Sequence, residues 1–374
     1  MEYAVGAFLF HLWSRPRRTE WISAVVLGLV LRVLYELAPG TPHSEFSSSL
    51  MGIGPFLGAG SLLVMTVTLF QLKGEQADAR MRMLITCAGI AFIAPVLQLL
   101  LAISMRLTPY RYDPILCAID GSFGFQPSFL FGQLAAHSRV LKELQLDVYY
   151  CLVLAVGMNY AAHAEHRAAS WPVDVLRAYV TCTVLAFFLY IWLPAAGPGF
   201  AFHDAFPNHP PALFQIPVRR MLLAALPTNA IPSVHAATAY LVWWNSRPWK
   251  WGRIAAGAFA LLTLMATMGT GEHYMVDLIV AAPFALVSQA IATKGTGRTT
   301  LLLAGSGLVA LWLVPARLWP SVLIGHSITV WLLALVTVGA TAILARRLLQ
   351  ATYECREAVE KWAPGPVASG SFQS

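Results

Sequence analysis

The sequence predicts an all-α fold, a polytopic membrane bundle of about ten transmembrane helices. Of its 374 residues, 57% are hydrophobic and only 11% are charged, and the mean hydropathy is +0.63. Soluble domains carry about 25% charged residues, so the composition excludes an ordinary soluble domain. The apolar runs are long and continuous instead of alternating with a period of two, which favours helices over a membrane β-barrel.

Ten apolar segments have roughly the length that a helix needs to cross a bilayer, which is about 20 residues. Short polar loops separate them, except for two long connections at 106–143 and 194–230. The predicted spans are 21–38, 50–72, 83–105, 144–162, 173–193, 233–246, 254–268, 274–292, 299–314 and 322–345. A short interfacial segment precedes them and a polar tail, 346–374, follows them. We therefore predict a single integral membrane domain over 1–374.

The distribution of basic residues predicts the orientation. Ten spans place both termini on one side, and most Lys and Arg residues lie in the connections on that side, among them Arg18, Arg80, Arg82 and Arg253. The positive-inside rule assigns that side to the cytoplasm. We expect a protein of a bacterial inner membrane whose two long connections face the periplasm and whose tail is cytoplasmic. Because the basic residues are scattered in short loops, they do not indicate nucleic-acid binding.

The cysteines indicate neither a disulfide framework nor a metal site. The chain has five, at positions 87, 117, 151, 182 and 355, and no two form a C-x-x-C pair. Most lie in or beside apolar runs, where a free cysteine acts as a small apolar side chain. We expect no metal and no cofactor.

Two histidines lie near the two ends of a predicted helical hairpin over 231–280. His235 follows Pro232 and Ser233 at its start, and His273 lies near its end, after two apolar runs joined by a short basic turn. A hairpin returns its ends to one side of the bilayer, so both histidines should lie at the same depth on the outer side. Asp277 follows His273 by one helical turn and shares its face. Ionisable groups in a membrane are costly and mark functional sites.

These residue types suit phosphoryl transfer. A carboxylate one turn from His273 can accept a hydrogen bond from one imidazole nitrogen, which leaves the lone pair of the other free to attack. His235 then acts as a general acid for a leaving oxygen and as a base for an incoming one. Ser233 is suited to cap a helix, and a helix N-terminus attracts anions, of which phosphate fits best.

Phosphate transfer also needs cations near the equatorial oxygens. Arg219 and Arg220, in the outer connection shortly before His235, are the nearest candidates. Asp113 and Asp120 lie in the first outer connection and are candidates for binding a polar headgroup. A helix cap or a turn is the alternative role for these two carboxylates.

The sequence resembles the type 2 phosphatidic acid phosphatase superfamily in two motifs. These are Pro-Ser-x-His and, after one hairpin, a second His followed by x-x-x-Asp. More narrowly, residues 271–277 are similar to the His-Tyr-x-x-Asp motif of the inositol phosphorylceramide synthase branch. Residues 112–125 and 193–198 are also similar to that branch. The resemblance implies a six-helix catalytic core, here about 111–293, and a metal-independent phosphohistidine mechanism. In it the residue matching His273 is the nucleophile, the one matching Asp277 orients it, and the one matching His235 is the general acid.

The chain departs from the phosphatase pattern in two places. The superfamily's third motif begins Ser-Arg, but the position of that Arg is Thr267 here, preceded by Ala266. The first motif, Lys-x6-Arg-Pro, is also not present in that form. The synthase branch shares both departures, so the resemblance favours a transferase and leaves the cations that hold the phosphate unassigned.

The resemblance implies two enzymatic functions. The first moves a phosphate-containing headgroup from a lipid phosphate or phospholipid to an alcohol acceptor of the ceramide, glycerolipid or sugar type, and a ceramide acceptor would belong to sphingolipid metabolism. The alternative is a lipid phosphate phosphatase acting on phosphatidic acid or on a polyprenyl phosphate or diphosphate. A non-catalytic transporter built on the same bundle would not need His235, His273 and Asp277, whose presence argues against it.

Overall fold

The computed structural model describes residues 3–14, 16–38, 50–165, 173–212, 216, 218–222, 226–246, 250–293 and 297–362. These residues form an all-α bundle, as predicted, with one short β-ribbon. The helices are α1 (Tyr3–Trp13), α2 (Arg18–Leu37), α3 (Leu50–Leu69), α4 (Glu75–Leu107), α5 (Asp113–Gly121), α6 (Pro127–Ala136), α7 (Arg139–Glu165), α8 (Val175–Trp192), α9 (Pro198–Ala201), α10 (Val234–Asn245), α11 (Lys250–Gly269), α12 (Met275–Ala292), α13 (Arg298–Leu318) and α14 (Ser327–Trp362).

Each predicted span overlaps a helix, but the count of ten membrane crossings is not confirmed. Among the described residues, five helical segments are long and apolar enough to cross a bilayer, and α3 and α4 contain shorter apolar stretches. The five segments are Val175–Trp192, Lys250–Gly269, Met275–Ala292, Arg298–Leu318 and Ser327–Leu348. They fit a multi-pass integral membrane protein.

The span predicted at 233–246 is a helix with nearly those bounds, but it is short for a bilayer. Helix α10 has 12 residues, which is about 18 Å at 1.5 Å per residue, whereas a bilayer core is about 30 Å thick. A polar residue lies at each end of the helix. Ser233 caps its start, and the side-chain amides of Asn245 and of Gln289 in α12 each donate a 3.0 Å hydrogen bond to the other. Most of α10 is buried, so it lies inside the bundle.

Helix α12 is the centre of the bundle. In α12, 83% of the residues of its 18-residue apolar segment are buried, against about a third of the residues in the other candidate spans. It packs against α5, α8, α10, α13 and α14, and its small residues Ala281, Ala282 and Ala285 let neighbouring helices approach closely. Since the first turn of α12 follows His273 directly, the most enclosed helix positions the candidate nucleophile.

A two-stranded antiparallel ribbon joins the two long connections. Strand β1 (Tyr110–Arg111) pairs with β2 (Met221–Leu222), with Arg111 opposite Met221. The buried guanidinium of Arg111 donates hydrogen bonds to the carbonyl oxygens of Leu226 and Pro227. The ribbon and this arginine therefore hold the segment that leads into α10.

The two ends of the chain differ in part from the sequence predictions. The segment predicted to be interfacial contains α1, which packs against α3, α4 and α7. The predicted tail at 346–374 is helical as far as Trp362, because α14 continues through its first part. Residues 363–374 and the predicted loop at 39–49 lie outside the described residues.

Candidate active site

His273 lies in the tight turn that joins α11 to α12. Its N–H donates to the carbonyl oxygen of Thr267 at 3.2 Å, and its own carbonyl accepts from the Ser128 hydroxyl of α6 at 2.7 Å. Gly271 in the same turn has φ +78°, a left-handed conformation that favours glycine. The turn is therefore held from two sides, and only 2% of the His273 surface is exposed.

The second long connection packs its backbone directly on this turn. The N–H of Gly199 donates to the carbonyl oxygen of Gly271 at 2.8 Å. A Cβ on Gly271 would lie 2.8 Å from Cα of Gly199, and one on Gly197 would overlap the carbonyl oxygen of Glu272. Glycine is required at these positions because any side chain would push the two segments apart.

The ring orientation of His273 is set by a backbone carbonyl. Its Nδ1 lies 2.8 Å from the carbonyl oxygen of Ala230, just before α10, and 3.6 Å from Oδ2 of Asp277. A carbonyl oxygen only accepts, so Nδ1 carries the proton and Nε2 keeps its lone pair. The sequence led us to expect the carboxylate to accept this hydrogen bond. In the structure Ala230 takes that role, and Asp277 lies at longer range.

Asp277 also caps the first turn of α12. Its Oδ2 accepts the N–H of Tyr274 at 2.8 Å, which satisfies one of the donors that a helix start leaves unpaired. Its Oδ1 is buried, with no hydrogen-bond partner in the part of the chain that the structure describes. The helix thus holds the carboxylate in place, and one oxygen remains to interact with a charge that develops nearby.

His235 lies in the first turn of α10. The Ser233 hydroxyl accepts the N–H of Ala236 at 3.2 Å, which confirms Ser233 as the cap of this helix. The His235 ring stacks on Tyr149 of α7, with centroids 4.0 Å apart, and its centroid lies 6.3 Å from that of His273. The hairpin therefore does bring the two histidines together, and both line one cavity.

Asp113 joins the two long connections to α12. Its buried carboxylate accepts the N–H groups of Ala196 and Gly197 at 2.8 to 3.1 Å and the hydroxyl of Tyr274 at 2.9 Å. Burial raises the pKa of Asp113 to about 6, although these hydrogen bonds favour the charged form. The sequence left open whether Asp113 binds a headgroup or serves a helix cap or a turn, and in the structure both its oxygens have protein partners.

Asp120 binds the N-terminus of α12. Its two carboxylate oxygens accept the N–H groups of Met275 at 2.7 Å and Val276 at 3.0 Å. Burial raises the pKa of Asp120 to about 8, against the effect of these two N–H donors. Here too the contacts correspond to the alternative that the sequence left open, a helix cap, and Asp120 positions the residues that follow His273.

Arg219 and Arg220 do not join the histidines. Both side chains are exposed, and the guanidinium of Arg220 lies 4.2 Å from the centre of the Tyr110 ring. Neither arginine lines the cavity that contains His235 and His273. The structure therefore leaves the predicted cationic contacts at the outer surface.

Sequence reasoning missed three groups that shape the site: Arg111, Tyr149 and Ala230. The Ala230 contact uses a backbone carbonyl, for which no residue type is a signal. Tyr149 lies on the predicted fourth span, but periodicity along that span does not show which neighbouring helix it faces. The buried position of Arg111 depends on a long-range ribbon that no local pattern predicts.

The electrostatics favour a neutral nucleophile. Burial lowers the pKa of His273 to about 4, while the neighbouring Glu272 and the hydrogen bond to Ala230 act in the opposite direction. Burial also raises the pKa of Glu272. At neutral pH the His273 imidazole is uncharged, which is the form that a histidine nucleophile requires. Among the residues described, no three His, Cys, Asp or Glu side chains come together as a metal site.

Comparison with known proteins gives a match to a protein family. Residues 114–291, which run from α5 into α12 and contain His235, His273 and Asp277, match the family model described as PAP2 superfamily. No curated protein and no solved structure matches the chain. The part of the chain that builds the two-histidine site is thus similar to the PAP2 superfamily, whose members are phosphatases and phosphotransferases.

Proposed function

We propose that the chain is a membrane lipid phosphotransferase of the type found in the inositol phosphorylceramide synthase branch, acting through a phosphohistidine. One observation carries the proposal. The hydrogen bond between Nδ1 of His273 and Ala230 leaves Nε2 as the reactive nitrogen, in a cavity shared with a second histidine whose ring centre is 6.3 Å away. One histidine is thus prepared to attack, and the other is within range to move a proton.

In the first half-reaction, Nε2 of His273 attacks the phosphorus atom of a lipid phosphate or phospholipid. The N–P bond forms as the P–O bond to the leaving alcohol breaks. His235, which takes up a proton when the anionic phosphate binds beside it, gives that proton to the departing oxygen. His273 becomes positively charged as it bonds to phosphorus. The carboxylate of Asp277, 3.6 Å from Nδ1, stabilises that charge.

In the second half-reaction, the hydroxyl of an acceptor attacks the phosphorus. Neutral His235 takes the hydroxyl proton, the new P–O bond forms, and the N–P electrons return to Nε2 of His273. The burial of His273 and the mainly apolar cavity beside it favour a lipid alcohol of the ceramide or glycerolipid type over water. If water were the acceptor, the same steps would describe a lipid phosphate phosphatase.

The first turn of α10 is the proposed site for the negative charge of the phosphate. The N–H groups at the start of α12 are bound by Asp120 and Asp277, whereas α10 begins with only the neutral cap Ser233. Its N-terminus therefore keeps the partial positive charge that attracts anions. Arg219 and Arg220, both exposed, are proposed to contribute only at the outer surface.

The decisive experiment incubates the purified protein with phosphatidic acid, polyprenyl diphosphate and phosphatidylinositol, each with and without ceramide, diacylglycerol or inositol. Mass spectrometry identifies the products. We expect headgroup transfer to an alcohol to exceed release into water, and an acid-labile phosphorylated His273 in rapidly quenched samples. Dominant release of free phosphate would establish the phosphatase instead.

The matched controls are two histidine variants. We expect His273→Ala to lower turnover by about 10³-fold or more, because it removes the nucleophile. His209→Ala, which changes an exposed histidine on the outer connection, should keep wild-type activity. Activity should persist in EDTA, and its loss with rescue by a divalent cation would contradict the metal-independent mechanism. Turnover by His273→Ala at the wild-type rate would exclude the mechanism altogether.

We also propose that the site faces the periplasm of a bacterial inner membrane. The hairpin places Lys250, at the start of α11, at the opposite end from both histidines. A Lys250→Cys variant should therefore resist a membrane-impermeant thiol reagent in intact cells and react after lysis. Ready labelling in intact cells would reverse the orientation.

A further inference from the structure

An open groove lies between α8, α12 and α13 on the outside of the bundle. Its volume is about 350 Å³, which is within the range of about 300–1,000 Å³ for ligand sites. Apart from Ser306, its lining residues are aliphatic or aromatic, with Phe284 and Val287 of α12 buried at its base. All three helices are candidate membrane spans, so the groove opens towards the hydrocarbon of the bilayer.

The groove is separate from the cavity that contains the two histidines. On α8 it is lined by Leu185, Leu189 and Trp192, whereas Thr183 and Tyr190 line the histidine cavity. With 3.6 residues per turn, these two sets lie on opposite faces of the helix. Helix α8 therefore stands between the groove and the reacting groups.

The guanidinium of Arg317, in the last turn of α13, lies at one end of the groove. Its central carbon is 4.4 Å from the ring centre of Trp192 and 5.5 Å from that of Tyr112. Both distances are within the roughly 6 Å of a cation–π contact. Leu313 and Val314, which line the groove, precede Arg317 by one helical turn and share its face of α13. The two rings thus hold a positive charge directly beside the apolar lining.

The charge of Arg317 has no acidic partner in the part of the chain that the structure describes. The ion pairs found there involve other residues. A guanidinium is a planar fork of N–H donors that fits a phosphate group with two parallel hydrogen bonds. Cation–π contacts supply no oxygen acceptor for those donors, so an anion at the end of the groove can accept from them.

The charged end of the groove is at the same level in the bundle as the histidine site. Trp192 is the last residue of α8, and the hydroxyl of Tyr190 lies 3.3 Å from the carbonyl oxygen of Pro232, just before α10. Trp and Tyr side chains are enriched at the headgroup level of membranes. From Trp192 back to Leu185 the helix rises about 10 Å, which is about two thirds of the roughly 15 Å of one leaflet. The groove therefore has the length of the first part of an acyl chain.

We infer that this groove binds an anionic phospholipid of the bilayer, with its phosphate on Arg317 and the first part of one acyl chain along α8 and α13. An anionic headgroup is favoured over a zwitterionic one, because a zwitterionic lipid carries its own cation and Arg317 brings a charge that no acidic side chain balances. The site is on the far side of α8 from the histidines, so the inference does not rest on the proposed function.

The first test changes the charge. Native mass spectrometry of the purified full-length chain in detergent measures the apparent Kd of dioleoyl phosphatidylglycerol and of dioleoyl phosphatidylcholine, which have the same chains. We expect wild type to bind the anionic lipid about tenfold more tightly or better, and Arg317→Gln to abolish this preference. The matched control is Arg298→Gln, at the other end of the same helix and outside the groove, which should keep it.

The second test fills the groove. Ala310→Trp places a large ring among the lining residues, whereas Leu311, the next residue, is 43% exposed and does not line the groove. We expect Ala310→Trp to weaken the binding of both lipids about tenfold or more, and Leu311→Trp to leave both Kd values at those of wild type. An equal effect of the two Trp variants would overturn the assignment of the acyl chain to the groove.

Two results of the charge test would overturn the inference as a whole. One is equal affinity of wild type for the two lipids. The other is an equal loss of preference in Arg317→Gln and Arg298→Gln, which would indicate a general attraction of basic residues for anionic lipid. Binding is read without turnover, so failure of the proposed function would leave these results unchanged.

A crosslinking experiment on wild type covers the case in which Arg317→Gln does not fold. Phosphatidylglycerol with a diazirine on one acyl chain is photolysed with the protein, and labelled residues are located by mass spectrometry. We expect labels on Leu189, Phe284 or Ala310 that unlabelled phosphatidylglycerol removes more effectively than phosphatidylcholine at the same concentration. Labels confined to Leu303 and Leu311, which are exposed on α13 outside the groove, would overturn the inference. So would equal competition by the two lipids.

Discussion

Oδ2 of Asp277 lies 3.6 Å from Nδ1 of His273, whereas the carbonyl oxygen of Ala230 lies 2.8 Å from the same nitrogen. Two tasks are therefore divided between two groups. The carbonyl fixes the tautomer of the imidazole, and in the proposed mechanism the carboxylate supplies the negative charge that stabilises a cationic His273. Because the groups come from different segments, mutation can separate these tasks.

The first prediction concerns the charge of Asp277. Asp277→Asn removes the charge, but its amide oxygen can still accept the N–H of Tyr274. We expect kcat to fall about 10- to 100-fold, less than the roughly 10⁴-fold loss observed when a triad carboxylate also sets the tautomer. Steady-state kinetics of the purified variant measure this loss.

Asp277→Ala is the comparison for structural loss. It removes the cap as well as the charge, so we expect an additional decrease in stability of about 1 kcal/mol, measured by thermal unfolding in detergent. A loss of 10⁴-fold in Asp277→Asn, with unchanged stability, would show that the carboxylate and not Ala230 sets the tautomer.

The second prediction concerns pH. Burial lowers the pKa of His273 to about 4, from a model-compound value of 6.5. We expect the acid limb of the kcat/KM profile to have its midpoint near pH 4 and not near 6.5, since only the neutral imidazole attacks. Between these values the unfolded state binds a proton that the folded state does not. The contribution of His273 to stability therefore decreases as the pH falls from 6.5 to 4.

Glu272 provides the control for that assignment. Its charge raises the pKa of His273, so Glu272→Gln should move the acid limb to lower pH. The profile is measured from pH 3.5 to 8 with protein that has been shown to remain folded at each pH. A limb that does not move, or that moves towards neutrality, would assign the titration to another group.

The third prediction concerns Asp120. An Asn side chain has one acceptor oxygen, so Asp120→Asn leaves the N–H of Met275 or of Val276 without a partner. We expect a loss of about 1–3 kcal/mol in stability and a lower kcat, because these residues follow the His273 turn. Asp204→Asn, on an exposed side chain, should change neither quantity. An unaltered melting temperature in Asp120→Asn would contradict the positioning role.

The sequence predicted the helical class and the meeting of His235 with His273, because apolar length and a hairpin depend on local patterns. The helix predicted at 233–246 was also nearly right in its bounds, but its apolar run does not show that Ser233 and Asn245 lie at the ends of a short buried helix. For so short a helix, hydropathy alone does not predict a membrane crossing.

The contacts inside the site were less predictable than the residues that form it. Asp113 and Asp120 were recognised as unusual carboxylates in an outer connection, but their partners are backbone N–H groups of segments distant in the sequence. Backbone donors and acceptors are common to all residue types, so a side-chain pattern does not reveal which of them a carboxylate or an imidazole will contact.

The last prediction separates backbone strain from close packing at the His273 turn. Gly271 and Gly124 both have positive φ, +78° and +94°, so an alanine at either position is strained, by about 1–2 kcal/mol. Only at Gly271 would the new Cβ also meet backbone, 2.8 Å from Cα of Gly199, whereas the space around Gly124 is open. We expect Gly271→Ala to be the less stable variant and to lose most activity, since the turn must move and carries His273 with it. Gly124→Ala should lose stability by the strain alone and keep its kcat. Equal stability and equal kcat in the two variants, measured by thermal unfolding and lipid turnover, would show that the contact between the second connection and the turn does not position the nucleophile.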